Sequence, residues 1–150
     1  MDETTIQNHI KEFVEKLGIT IEGLTVVPIV AHIMFNIETP DSKQLIGPHG
    51  EHLRSLNYIV RRIIEKKTGD KEVKFMIDVN GYQHKHIQAI EQKARLLAER
   101  VRTFKSSADM TPMSSYERML IHSMFSDDPE ITTTSEGEGK ARHIILSYKK

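Results

Sequence analysis

Cysteine is absent from all 150 residues. Disulfide scaffolds, Cys-based zinc sites and iron–sulfur clusters are thereby excluded. An excess of one charge is absent too, because 21 Lys plus Arg balance 21 Asp plus Glu. That balance argues against indiscriminate polyanion binding by the whole surface. No apolar run is long enough for a bilayer: the most apolar stretch, residues 24–37, is interrupted by Pro28, His32 and Asn36. The opening Met1-Asp2-Glu3-Thr4-Thr5 is acidic and polar, unlike a signal peptide. A cytoplasmic, membrane-free protein is therefore expected. There is no internal repeat, no low-complexity tail, no Gly-x-Ser-x-Gly elbow and no P-loop, so no enzymatic activity is expected. His84-x-His86 could chelate at strand spacing and His49 with His52 at helix spacing, but no recognisable ligand set is completed. Neither a metal nor another cofactor is expected. What remains is a globular composition, 38% hydrophobic and 28% charged, of a length that fits one domain or two small ones.

The zero net charge conceals alternation. Residues 1–40 carry two bases against six acids, residues 41–67 six against three, and residues 81–126 seven against four. Ordinary surface mixing produces swings of this size, and so do two local basic surfaces. Hydrophobic spacing divides the chain further. Ile6, Ile10, Phe13, Val14 and Leu17 predict a helix over 4–17, with Thr4 and Gln7 as its capping box and Gly18 as its stop. Val27, Ile29, Ala31, Ile33, Phe35 and Ile37 predict one half-buried strand over 26–38, and a short extra strand within 19–25 can precede it. A short capped helix from Asp41 or Ser42 to Ile46 precedes Gly47-Pro48-His49-Gly50, and a longer helix to about Lys67 follows. Val73, Phe75, Ile77 and Val79 alternate with Lys74, Met76 and Asp78, predicting a strand with those polar positions outward. After the Asn80-Gly81 turn comes a helix over 83–105, with Ile87, Ile90, Ala94, Leu97, Val101 and Phe104 inward. A connector or short strand over 106–111, a helix capped by Ser114 or Ser115, and two strands near 130–134 and 142–148 complete the chain. With a boundary near Gly81, the halves read α-β-β-α-α-β and α-β-α-β-β.

Gly47 and Gly50 bracket two residues between helices. Lacking Cβ atoms, they let a ligand backbone approach, and the next helix aims free N–H groups and its positive dipole end there. Such a turn suits a phosphate; a plain helix–turn–helix also contains glycines so spaced. Arg54, one turn on, adds a charge, and Arg61 and Arg62 extend the basic surface. The run Leu45-Ile46-Gly47-Pro48-His49-Gly50-Glu51-His52-Leu53-Arg54-Ser55-Leu56 resembles the KH pattern, and the order α-β-β-α-α-β resembles its type II arrangement. The resemblance implies that Gly47, Pro48, His49 and Gly50 clamp the backbone of about four single-stranded nucleotides, with Ile46 and Leu53 lining a groove for the bases. Functional KH loops usually carry Lys or Arg between the glycines, whereas Pro48 and His49 stand here, which implies a weaker clamp.

Arg118 and His122 lie four apart on the predicted helix after Pro112, about 40° apart around its axis. With Tyr116, Met119, Leu120 and Met124 expected inward, this pair faces outward, where a guanidinium and an imidazole can share a phosphate. Polar pairs at this spacing also decorate ordinary surface helices, and Glu117 or Asp109 could partner Arg118. The run Asp109-Met110-Thr111-Pro112-Met113-Ser114-Ser115-Tyr116-Glu117-Arg118, then His122, then Thr134-Ser135-Glu136-Gly137-Glu138-Gly139 and Arg142-His143-Ile144-Ile145, resembles the R-3-H domain. That family implies a small sheet covered by two helices, with Arg118 and His122 contacting phosphate.

A KH half followed by an R-3-H half resembles the Jag (SpoIIIJ-associated) family of bacterial RNA-binding proteins. The expected fold is α+β: a type II-like KH domain over 1–80, then a small R-3-H domain over 81–150. The extra N-terminal domain that members often carry is expected to be absent, since a short acidic helix begins the chain. The expected function is non-catalytic binding of single-stranded RNA by the loop and the Arg-x-x-x-His helix. The alternatives are a protein–protein adaptor with a degenerate loop and a single-stranded DNA binder. Lys85, Arg95, Arg100, Arg102 and Lys105 along the long helix are a solvated face or a second phosphate track.

Overall fold

The structure, a computed structural model, describes residues 2–29 and 32–149. The chain divides into two compact units, residues 1–84 and 85–150. The first is built from helix α1 (Glu3–Lys16), strands β1 (Gly23–Pro28) and β2 (Ile33–Glu38), helices α2 (Ser42–Ile46) and α3 (Glu51–Thr68), and strand β3 (Phe75–Val79). Helix α4 (Tyr82–Phe104) starts in this unit and continues in the second. There follow strand β4 (Ser107–Asp109), helix α5 (Ser115–Met124), and strands β5 (Ile131–Glu136) and β6 (His143–Tyr148). The fold is α+β, and the order of elements in each half is α-β-β-α-α-β and α-β-α-β-β as expected, although the first two strands do not lie where the periodicity places them.

In the first unit the sheet order is β1-β2-β3, antiparallel between β1 and β2 and parallel between β2 and β3. Apolar faces of α1 (Ile6, Ile10, Val14) and α3 (Leu56, Val60, Ile64) bury against Phe35, Ile37, Phe75 and Ile77. The Phe35 and Phe75 rings meet edge to face at 6.0 Å, a favoured aromatic geometry. In the second unit β6 lies between β4 and β5, antiparallel to both. Ala94, Ala98 and Val101 of α4 and Ile121 and Phe125 pack on Ile131, Ile144 and Leu146. The alanines keep α4 thin on this side.

Several expectations change. The single strand over 26–38 is a hairpin: Pro28 pairs with Ile33, and the Ile29 N–H donates to the His32 carbonyl at 3.0 Å. Ala31, expected in that strand, lies outside the described residues. The reversal flips the inward phase. Leu24 and Val26 face the core before the turn, and Ile33, Phe35 and Ile37 after it. Apolar residues at both parities before the turn hid that flip. The cap of α1 is Asp2, whose Oδ1 accepts the Thr5 N–H at 2.8 Å, and not Thr4. Leu17 and Phe104, expected inward, each follow the last buried turn of their helix and are exposed. Asp78, expected on a solvated face, is fully buried. Its Oδ1 accepts the Gln83 N–H at 2.8 Å and its Oδ2 the His84 N–H at 2.9 Å. A carboxylate there satisfies first-turn donors of α4 and faces the positive dipole end.

Candidate nucleic-acid interface

Helix α2 stops where the backbone turns left-handed. φ is 71° at Gly47, 53° at His49 and 75° at Gly50. Glycine takes such angles without steric cost, and His is among the side chains that tolerate them. Gly47 is required twice over, since a Cβ there would stand 2.4 Å from Cγ of His52. The His52 ring is fixed in place by its Nδ1, which donates to the Gln44 carbonyl at 2.7 Å. Pro48 and His49 form the exposed tip, Gly47 is half-buried and Gly50 buried. Arg54 sits at the loop, its Nη1 donating to the His49 carbonyl at 2.9 Å. The first-turn N–H groups of α3 begin at the same place. The loop thus exposes Pro48 and His49 at its tip, with the Arg54 guanidinium beside them.

Other expected contributors are used elsewhere. Leu53 is wholly enclosed in the first core, because it shares the face of Leu56, Val60 and Ile64. Of the two expected groove residues only Ile46 reaches the surface. Arg61 donates to the Phe75 carbonyl at 2.8 Å and covers that ring, and Arg62 pairs with Glu65 at 3.3 Å. Neither extends a free basic surface. Tyr82, which no local pattern singles out, lies against Gly50.

The second surface is assembled on α5. Ser114 caps it: Ser114 Oγ accepts the Glu117 N–H at 3.2 Å, and Glu117 Oε2 accepts the Ser114 N–H at 3.0 Å. This reciprocal box fixes the first turn. Arg118 Nη1 donates to the Met113 carbonyl at 2.8 Å. His122 Nδ1 is bonded to Thr133 Oγ1 of β5 at 2.6 Å. Arg118 and His122 line one open hollow with Met119, Ser135 and Arg142. Arg142 is tied to the Gly137 carbonyl at 2.8 Å, and the buried Ser135 hydroxyl has no partner among the described residues. Two guanidinium groups, of Arg118 and Arg142, thus flank a concave surface beside the His122 ring, an arrangement suited to an anion. Met119, expected inward, is 36% exposed and lines the hollow, whereas Leu120 and Ile121 are the buried positions.

Burial holds the His122 imidazole below its usual pKa, and the neighbouring Arg118 charge lowers it further. The neutral ring is therefore favoured in the folded state. Its contribution to stability is present above the unfolded value and is lost as pH falls through the folded one. A proton NMR titration of the free protein is expected to give His122 a midpoint below about 6.5, and Arg118→Ala is expected to move it upward. A midpoint unmoved by that substitution would show that the two groups do not sense each other.

Several of the remaining cations and imidazoles are engaged, though no such contact holds Lys85 or Arg100 among the described residues, and the buried His84 Nδ1 has no partner there. His84 and His86 lie on helix α4, not a strand, two apart and so on different faces. His86 bonds Glu117 Oε1 at 2.7 Å. Along α4, Arg95 pairs with Glu91 at 3.5 Å, Arg102 with both Glu99 and Asp128, and Lys105 lies over the Tyr148 ring. Arg118 pairs with neither Glu117 nor Asp109; the latter holds His143 at 3.2 Å. No helix among the described residues is long and apolar enough to cross a membrane.

Residues 86–148 match the R-3-H domain. The chain is 33% identical over 115 residues to RNA-binding protein KhpB of Clostridium symbiosum, covering 77% of this chain and 51% of that protein. It is 30% identical over 120 residues to RNA-binding protein KhpB of Bacillus subtilis, covering 79% and 57%. The chain belongs to the Jag family. This Jag chain spans about half the length of the curated relatives it matches. A third relative, RNA-binding protein KhpB of Lactiplantibacillus plantarum, matches across 99% of the chain at 26% identity. The family match therefore takes in the loop-bearing first unit as well as the R-3-H domain.

Proposed function

We propose that this Jag chain binds single-stranded RNA in the cytoplasm and performs no catalysis. A KH module over residues 1–80 grips phosphate with Gly47, Pro48, His49, Gly50 and Arg54. An R-3-H module over residues 81–150 grips it with Arg118 and His122. The observation that carries this reading is the hollow beside α5, which Arg118, His122 and Arg142 line together. The relatives' printed name, RNA-binding protein, supports RNA as the polymer. Each surface offers few charges, so each alone binds weakly; two on one chain multiply affinity because the second contact is intramolecular.

The test is fluorescence anisotropy of a short mixed-sequence RNA at fixed salt. The single strand is expected to bind more tightly than its duplex. Pro48→Asp with His49→Asp, which sets carboxylates where phosphate approaches, and Arg118→Ala with His122→Ala are each expected to weaken binding. Equal affinity for the matching DNA strand would make this a general single-strand binder. No binding to either polymer, with a protein retained in a pull-down, would replace the reading with the adaptor.

A further inference from the structure

Helix α4 opens beside the glycine loop. A Cβ on Gly50 would lie 3.3 Å from Tyr82 Cε1, 3.5 Å from the Tyr82 hydroxyl oxygen and 3.8 Å from Arg54 Nη1. A glycine backbone, a phenol ring and a guanidinium thus meet at the end of the loop. Tyr82 is 43% exposed, and its hydroxyl makes no hydrogen bond among the described residues. A large aromatic side chain that leaves this much surface in water has apolar face available for a ligand.

The backbone around the ring is tied from both sides. Asn80, at φ 48°, accepts the Thr39 N–H through Oδ1 at 3.0 Å and donates to the Thr39 carbonyl through Nδ2 at 2.8 Å. The Gly81 N–H donates to Asn36 Oδ1 at 3.0 Å. Just beyond the ring, the Gln83 and His84 N–H groups are held by the buried Asp78 carboxylate. Tyr82 is therefore carried on a fixed turn, and a phenol with two side-chain torsions loses little freedom when it is covered.

We propose that Tyr82 is a stacking platform for an unpaired nucleobase, the one attached to the phosphate that the glycine loop holds. A base lies one sugar away from its phosphate. The Tyr82 ring stands beside Gly50, the last residue of the loop, and Arg54 next to it supplies charge for the chain. Stacking needs only the π-face that every base has, so this contact is sequence-tolerant. The inference rests on the nucleic-acid reading of the loop.

The experiment uses the whole chain and two labelled oligomers of equal length, a single-stranded RNA and its abasic sugar-phosphate counterpart. Tyr82→Ala is expected to weaken RNA binding on the order of tenfold and to leave affinity for the abasic oligomer unchanged. Tyr82→Phe is expected to bind like the parent. Equal weakening toward both oligomers would mean that the ring merely supports the loop, and would overturn the proposal. Tyr82→Trp gives a second readout, because the chain contains no other tryptophan. Its emission is expected to be quenched by the RNA and not by the abasic oligomer; unquenched emission at saturation overturns the proposal. Pro48→Asp with His49→Asp separates the two readings. If that variant binds both oligomers as the parent does, the loop reading fails and the stack with it. If it weakens both while Tyr82→Ala behaves as the parent, only the stack fails.

Discussion

Replacing Asp78 by alanine is expected to destabilise this Jag chain by about 3 kcal/mol, among the largest effects of any single polar substitution in it. Loss of a helix cap costs roughly 0.5–2 kcal/mol. Asp78 is also fully buried, and its removal strands the Gln83 and His84 N–H groups it satisfies. Each buried donor left unpaired adds about 1–3 kcal/mol. At about 2–4 °C per kcal/mol for a chain of this size, the midpoint should fall by roughly 6–12 °C. Circular dichroism against temperature and against urea reads this directly. Should the two units melt separately, the loss belongs to the transition of residues 1–84, and a single two-state fit is then inappropriate. Asp78→Asn retains one acceptor oxygen and is expected to lose about half as much. A loss under about 1 kcal/mol for the alanine variant would show that other acceptors cap α4.

Asp78 also marks where sequence reasoning stopped. Alternation along β3 assigns Asp78 and Met76 to a face opposite Phe75 and Ile77, and polarity then suggests water on that face. Met34 of β2 lies on the same side and is fully buried, so the inference from polarity to solvent fails there. Local signals with a short-range cause were legible. Ser114 with Glu117 reads as a capping box because both partners lie within one turn. The Gly47 and Gly50 spacing reads as a special turn because left-handed φ is a local demand. The hairpin that joins β1 to β2 was not legible, because apolar residues of both parities run up to Pro28. Tyr82 was missed for a different reason: its contact with Gly50 joins distant parts of the chain, and neither residue's neighbours announce it. Arg61 shows the converse error. A cation near a basic loop suggests a ligand contact, but its guanidinium is held by the Phe75 carbonyl and ring.

Arg118→Ala is expected to weaken single-stranded RNA binding by about 10- to 100-fold, the worth of one charge-assisted hydrogen-bonded contact. The Met113 carbonyl already orients this side chain, so little freedom remains to be lost when a phosphate arrives. Arg118→Lys keeps the charge but loses the planar fork, and should recover only part of the affinity. The salt dependence separates charge from shape. The slope of log affinity against log salt should flatten by about 0.7 for one phosphate lost in Arg118→Ala, and should be unchanged in Arg118→Lys. His122 decides whether that phosphate is shared. The Arg118 charge already depresses the His122 pKa, so the groups sense each other before any ligand binds. A phosphate between them reverses the sign of that coupling, because it favours the protonated ring. Binding should therefore tighten as pH falls below neutrality, and His122→Gln should remove that dependence. If one phosphate is held by both, the double variant Arg118→Ala with His122→Gln costs less than the sum of the single losses, by at least about 0.5 kcal/mol. Strict additivity would assign the residues to separate phosphates. An unchanged affinity and an unchanged slope in Arg118→Ala would remove α5 from the interface, since no neutral contact can substitute for a lost cation in both measurements at once.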